Sequence, residues 1–287
     1  MKEQKTNRAL LIFGFCLFCL GMAAAALWDL PLNTAVYHGT WLPAVLMECF
    51  GFYPLYLPPI FLCFCFAKTK SVPRFARFLL ALVGVLGGGA LIVYSGIGLV
   101  QRDVLYAAAL TNGFAFFFAL CCAALILALR NAIFRLKMIF ICTWGTVYLL
   151  CNTVVINGMK LIWNRTRFDD MISTGDFSSF TAWYHPFGAG GTSFPSGHVA
   201  AACSIFILLL CCDVFYYFLQ HRGLVGSICW VYIIWMALCR IVIGRHYLSD
   251  TLMAAFVMTL LFYAMTHNRF YCDSLTRLRQ KTQMEAF

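Results

Sequence analysis

A chain of 287 residues that is 62% hydrophobic and only 11% charged, with a mean hydropathy of +0.82, is too apolar for a soluble domain and reads as an all-α, polytopic membrane protein. Its net charge of +10 does not mark a nucleic-acid binder, because long uncharged runs separate the basic residues and leave no stripe that could follow a phosphate backbone. The fifteen cysteines lie almost all inside apolar runs, as in Cys63/Cys65, Cys121/Cys122 and Cys211/Cys212, and read as small buried hydrophobes rather than a disulfide or zinc framework.

Taken in chain order, Lys2, Lys5 and Arg8 precede an uncharged run, residues 9–28, which is too long for the apolar core of a signal peptide and is expected to form a first span. A loop holding Asp29, Pro31 and Pro43 should follow. The second span is expected over 49–67, with Pro54, Pro58 and Pro59 kinking it or delaying its regular part. The third, 78–100, is glycine-rich, and Gly84 with Gly88 has the small-residue spacing that lets helices approach closely in lipid. After Arg102 and Asp103 come a fourth span within 104–129 and a fifth over 138–159. A polar, glycine-bearing loop then runs from Lys160 to Gly197. Further spans are expected at 199–219, 223–243 and 248–266, followed by a polar tail. The expected organisation is N-terminal spans one to four in 1–137, a catalytic membrane core in 138–267 and a cytoplasmic tail in 268–287.

With the N-terminus inside, the cytoplasmic segments hold 15 of the 21 lysines and arginines, as the positive-inside rule requires. The other six are Arg102, Lys160, Arg165, Arg167, Arg240 and Arg245. Five of these crowd into two short stretches on the outer side, where insertion gives no reason for them. No span separates Lys160 from His198, and two spans separate His198 from Arg240, so all three stretches are expected on one face. An anion is the natural partner for such a concentration of charge.

The stretch Ser193-Phe194-Pro195-Ser196-Gly197-His198 stands at the start of an apolar run, where a helix N-terminus presents free N–H groups to an anion. Taken with it, Lys160 and Arg167, then Arg240, His246 and Asp250, resemble the three-part signature of the phosphatidic acid phosphatase type 2 / vanadium haloperoxidase superfamily, in its membrane-bound lipid phosphatase branch. The resemblance covers about residues 160–250 and implies a six-helix phosphatase-like core in the C-terminal part. Two positions depart from the family pattern: Phe168 stands where proline is usual, and Cys239 where serine is usual.

The resemblance implies a phosphatase working without metal or cofactor on a phosphorylated lipid or lipid pyrophosphate among membrane lipids. Lys160, Arg167, Ser196, Gly197 and Arg240 would bind phosphate, His246 would be the nucleophile of a phosphohistidine intermediate, and His198 the general acid. Asp250, one helical turn beyond His246, would hold its other ring nitrogen. These residue types fit the chemistry: phosphoryl transfer needs dispersed positive charge, a nucleophile and a proton for the leaving alkoxide. The arginines and lysine nearby would repel a divalent cation from the two histidines and Asp250. A phosphotransferase with the same intermediate, and a phospholipid-binding or transport protein without turnover, are the alternatives. The loop aromatics Trp163, Phe177, Phe180, Trp183, Tyr184 and Phe187 are expected at the membrane interface. Arg165 and Arg245 have no assigned role.

Overall fold

In the computed structural model, which describes residues 2–188 and 190–284, the described residues form helices joined by loops and turns and contain no strand. Eight stretches among the described residues are long and apolar enough to cross a membrane. The first is α1 (Lys2–Val36), and the second is made of α2 (Leu42–Phe50) and α3 (Tyr53–Ala67). Spans three to five are α4 (Arg74–Gln101), α5 (Ala107–Ala128) and α6 (Ala132–Trp163). The short helix α7 (Phe168–Thr174) lies in the long loop. Span six comprises α8 (Gly197–Ala202), a 3₁₀ turn (Cys203–Phe206) and α9 (Ile207–Val214), followed by the one-turn helix α10 (Tyr216–Gln220). Spans seven and eight are α11 (Arg222–Val242) and α12 (Leu248–Thr266), and α13 (Arg269–Met284) follows.

The first span differs from expectation. Rather than ending at Trp28, α1 runs on to Val36, through Asp29 and across Pro31. Proline in a helix interior forfeits one backbone hydrogen bond, and an acid in an apolar setting needs a partner. Asp29 finds three donors: Arg165 Nη2 at 2.9 Å, the Ser249 backbone N–H at 3.0 Å and the Ser249 hydroxyl at 2.5 Å. Asn33, one turn on, donates to the carbonyls of Ile241 and His246. Bound in this way, the polar residues of this segment have no need of a loop.

The second span begins at Leu42, earlier than expected, and is split into two helices. The chain breaks at Gly51–Phe52, Pro54 falls in the first turn of α3, and Pro58 and Pro59 are carried inside it. Gly84 and Gly88 behave as spacers: a Cβ on either would come within 2.8 Å of Phe64 or Phe118, so α4 lies tight against α3 on one side and α5 on the other. No residue of α5 is buried, and Phe116, Phe117, Leu120 and Leu127 present an apolar surface outward, as a lipid-facing span would.

The main core joins α6, α8, α11 and α12 through Tyr148, Ile156, Val199, Phe206, Cys229, Ile233, Met236 and Met258. Two polar ties fix its register. The Tyr148 hydroxyl donates to the Met258 carbonyl at 2.9 Å, and the Asn152 amide donates to the Ala200 carbonyl at 2.9 Å. The expected tail is an ordered helix: Tyr271 and Leu278 of α13 pack on Phe140 and Trp144. Asp213 anchors this end, accepting from Arg222 at 2.7 Å and from the Tyr271 hydroxyl at 2.5 Å.

Candidate active site

The ends of α1, α4, α6 and α11 and the starts of α2, α8 and α12 meet at one end of the bundle. There a cavity of about 460 Å³ is lined by Lys160, Arg167, His198, Arg240 and His246, joined by Glu48, Arg102 and Arg245. The three stretches singled out in the sequence therefore converge. Lys160 occupies the last turn of α6 and its ammonium lies over the start of α8, 3.1 Å from where a Cβ on Gly197 would stand.

Beyond α6, Asn164 adopts a left-handed conformation, and Arg167, the residue before α7, is extended. Arg167 turns to the cavity and donates to the Thr192 hydroxyl at 2.9 Å. Arg165 turns away and is fully buried. Its Nη1 lies 2.6 Å from Asp250 and 2.8 Å from the Ser249 hydroxyl, its Nη2 2.9 Å from Asp29, and its Nε 2.7 Å from the Thr181 carbonyl. The guanidinium also lies 4.0 Å from the centre of the Tyr247 ring. Burial opposes the charge on Arg165, but Asp250 and Asp29 outweigh it and raise its pKa. Arg165 is thus a brace behind the site. The loop recrosses this segment at Gly191, where any Cβ would fall 2.1 Å from the Arg165 carbonyl oxygen.

Ser196 caps α8, its hydroxyl accepting from Val199 N–H at 3.3 Å, and its own N–H donates to the Asp250 carbonyl at 3.0 Å. The hydroxyl keeps its proton for another acceptor. Ser196 is buried, whereas Gly197 and His198 line cavity surface. His198 stands edge-on to Phe52 across a centroid distance of 6.3 Å.

His246 follows the C-terminus of α11, where its N–H and that of Arg245 both return to the Arg240 carbonyl. Gly244 makes the turn with φ of +72°, and a Cβ there would meet Tyr37 at 2.8 Å. The nearest partner of His246 Nδ1 is not Asp250, as expected from the spacing, but the Ser193 carbonyl at 2.7 Å; the Asp250 carboxylate is 3.5 Å away. A carbonyl only accepts, so Nδ1 carries the proton and Nε2 is left with its lone pair on the cavity side. Burial pushes the His246 pKa down to about 4; the Asp250 carboxylate opposes this, while Arg240 and Lys160 reinforce it.

Asp250 orients the assembly from behind. One oxygen takes Arg165; the other takes the Ser193 hydroxyl at 2.5 Å and the Tyr247 N–H at 2.9 Å. The carboxylate therefore fixes both the start of α12 and the residue whose carbonyl holds His246. Arg240 is buried and reaches Glu48 at 3.1 Å. Arg245 pairs with Asp169 at 3.0 Å, and burial raises the Asp169 pKa although Arg245 opposes it.

A second cavity, of about 470 Å³, adjoins the first and shares Lys160, His198 and Tyr94 with it. Its other walls include Phe52, Leu55, Leu91, Ile156 and Ala201, from the second, third, fifth and sixth spans. The loop aromatics divide between two roles. Trp163 stacks on Phe194 at 4.8 Å and Phe180 lies over Arg165, whereas Tyr184 and Phe187 are exposed.

The family model of the PAP2 superfamily matches residues 140–273. That segment is a PAP2-superfamily domain. It contains Lys160, Arg167, Ser196, Gly197, His198, Arg240, His246 and Asp250. No curated protein and no solved structure matches the chain. The two positions that depart from the family pattern in the PAP2 domain are both packed into apolar surroundings. Phe168 is buried against Tyr37, Phe177 and Tyr247, and Cys239 lies in a cluster with Ala44 and Ile243.

Sequence reasoning missed Asp29, Asn33, Glu48, Arg102 and Ser193 as parts of this site. Asp29 and Asn33 did carry a signal, being polar residues four apart and hence on one helix face.

Proposed function

We propose that the chain is a metal-independent membrane phosphatase that hydrolyses a phosphorylated lipid, or lipid pyrophosphate, at the outer membrane face through a phosphohistidine on His246. The observation that carries this reading is that His246, with Nδ1 committed to the Ser193 carbonyl, lines the same cavity as Lys160, Arg167, Arg240 and His198. Lys160, Arg167 and Arg240, with the N–H groups at the start of α8, would gather the phosphoryl oxygens. His246 Nε2 would attack phosphorus as the P–O bond to the leaving oxygen breaks, and His198 would give that oxygen its proton. His198 would then take a proton from water as the water opens the P–N bond, which returns both histidines to their starting states.

The adjoining apolar cavity supports a lipid substrate, since a headgroup at Lys160 and His198 would leave its hydrocarbon beside Phe52, Leu55 and Leu91. Purified protein in nanodiscs, assayed against a panel of lipid phosphates with phosphate release and acceptor products both followed, tests the reading. Release of phosphate is expected. Transfer to an added alcohol in place of release would move the reading to a phosphotransferase, and binding without turnover of any panel member would remove catalysis.

A further inference from the structure

We infer that the face of α6 below Lys160 is a subsite for the alcohol part of the substrate, and that it selects an alcohol with ester, amide or hydroxyl groups beyond the phosphate over a plain hydrocarbon chain. The inference rests on the catalytic reading above and adds to it which lipids are turned over. It begins at His198, the proposed proton donor to the leaving oxygen. This residue lines both cavities, so the leaving alcohol extends from it into the second one.

The walls of that second cavity are unequal. Phe52, Leu55, Leu91 and Ala201 make one side apolar, whereas α6 contributes Asn152, Thr153 and Asn157 alongside Ile156 and Lys160. At 3.6 residues per turn these five positions of α6 fall within about 140° of arc, and the rise per residue sets Asn157, Thr153 and Asn152 about 4.5, 10.5 and 12 Å along the axis from Lys160. A polar stripe thus leads away from the phosphate ligand. Tyr56 and Tyr94, also in the lining and both exposed, add two hydroxyls.

The hydrogen bonds of the stripe are incomplete in the same way at each position. Asn152 is only 4% exposed, and its amide donates to the Ala200 carbonyl at 2.9 Å. Its Oδ1 meets no donor among the described residues. Thr153 donates to the Leu149 carbonyl at 2.9 Å and Asn157 to the Thr153 carbonyl at 2.8 Å, which leaves both side-chain oxygens and one amide N–H of Asn157 for another partner. By contrast Leu150, Val154 and Leu161, on the same helix but outside the cavity lining, are apolar and exposed, as lipid-facing positions are. Polar atoms enclosed by hydrocarbon without a partner are costly. A glycerol ester, a sphingoid base or an acylated sugar brings carbonyl, hydroxyl or N–H groups past its bridging oxygen. A prenyl or alkyl alcohol brings none.

The test uses the full chain in nanodiscs with four phosphomonoesters of similar chain length: oleoyl lysophosphatidic acid, sphingosine 1-phosphate, N-oleoylglucosamine 1-phosphate and oleyl phosphate. At least one of the first three should exceed oleyl phosphate by about tenfold or more in kcat/KM, and the fastest of them shows which backbone the stripe reads. Asn157→Leu and Thr153→Val should each bring that ratio down severalfold, whereas Thr153→Ser, which keeps the hydroxyl, should retain it. Oleyl phosphate turned over as well as the best of the others would overturn the inference and leave the phosphatase reading standing. So would a ratio unmoved in both Asn157→Leu and Thr153→Val, the result expected of a stripe that only holds water. The wild-type comparison decides even if a variant does not fold. Hydrolysis of none of the four would instead remove the catalytic reading, and this inference with it.

Discussion

Arg165 lies 2.6 Å from Asp250 although 85 positions separate them in the chain, and both side chains are shut off from solvent. The carboxylate beneath the proposed nucleophile is therefore itself held from below, by a cation that never reaches the cavity. Removing one member of a buried ion pair costs about 3–5 kcal/mol, because the other is left uncompensated. Arg165→Gln is expected to lower thermal stability sharply and to abolish activity together with it. Arg167→Gln, at a half-exposed cavity position, should weaken substrate and vanadate binding while leaving the melting temperature nearly unchanged. Melting curves and vanadate inhibition, measured on both variants, check the contrast; equal stability loss in the two would contradict the brace.

His246 and His198 are assigned different steps, so their alanine variants should fail differently. His246→Ala should form no phosphoenzyme with any substrate. His198→Ala should lose about 10²–10⁴-fold on an alkyl phosphate but retain phosphoenzyme formation from a nitrophenyl phosphate, whose leaving group needs little protonation. The label should be acid-labile and base-stable, as a phosphoramidate is. Label found on His198 in the wild type would reverse the roles.

The pH profile follows from the depressed pKa of His246. In the proposed mechanism the neutral imidazole is the nucleophile, and protonation removes it. With the pKa pushed down to about 4 rather than its ordinary value near 6.5, the nucleophile stays competent through mildly acidic pH, and the acid limb of kcat/KM for nitrophenyl phosphate should fall near pH 4. The stability contribution has the same sign: the unfolded chain takes up this proton first, so stability declines as pH drops from about 6.5 through 4. An acid limb at 6 to 7 that vanishes in no histidine variant would contradict the assignment.

Phosphate charge is assigned here to side chains, so activity should persist in excess EDTA, and vanadate should inhibit. Loss in chelator with recovery on adding Mg²⁺ or Zn²⁺ would move the mechanism to metal-assisted hydrolysis.

Orientation can be read independently of turnover. Cysteine placed at exposed Ser178, in the long loop, should label from outside on a cysteine-depleted background, and cysteine at exposed Thr276 of α13 should label only from inside. The reverse pattern would put the site on the cytoplasmic face.

The cationic half of the site was legible in the sequence for a simple reason: in a chain this apolar, a lysine or arginine outside the basic connecting segments is conspicuous. Lys160, Arg167, Arg240 and both histidines meet as their order and the span count required. The anionic half was not legible. Asp29 beside Pro31 looked like the end of a span, because hydropathy cannot see that Arg165 and Ser249 will meet the carboxylate inside the bundle. Glu48 stood alone at the head of an apolar run, and nothing local connects it with Arg240, 192 positions away. The Asp250 spacing suggested a direct hold on His246, yet a one-turn offset specifies proximity only, and the Ser193 carbonyl takes the closer place.

The proposed catalytic motifs cannot be lifted out of their chain. A fragment trimmed to 140–273 would keep every proposed phosphate ligand and both histidines while discarding Asp29, Asn33, Glu48 and Arg102. Arg165 would then retain one of its two carboxylates and Arg240 neither contact to Glu48 nor a substitute for it. The smallest working version of this protein has to begin upstream of Asp29, however complete the shorter piece looks as a string of letters.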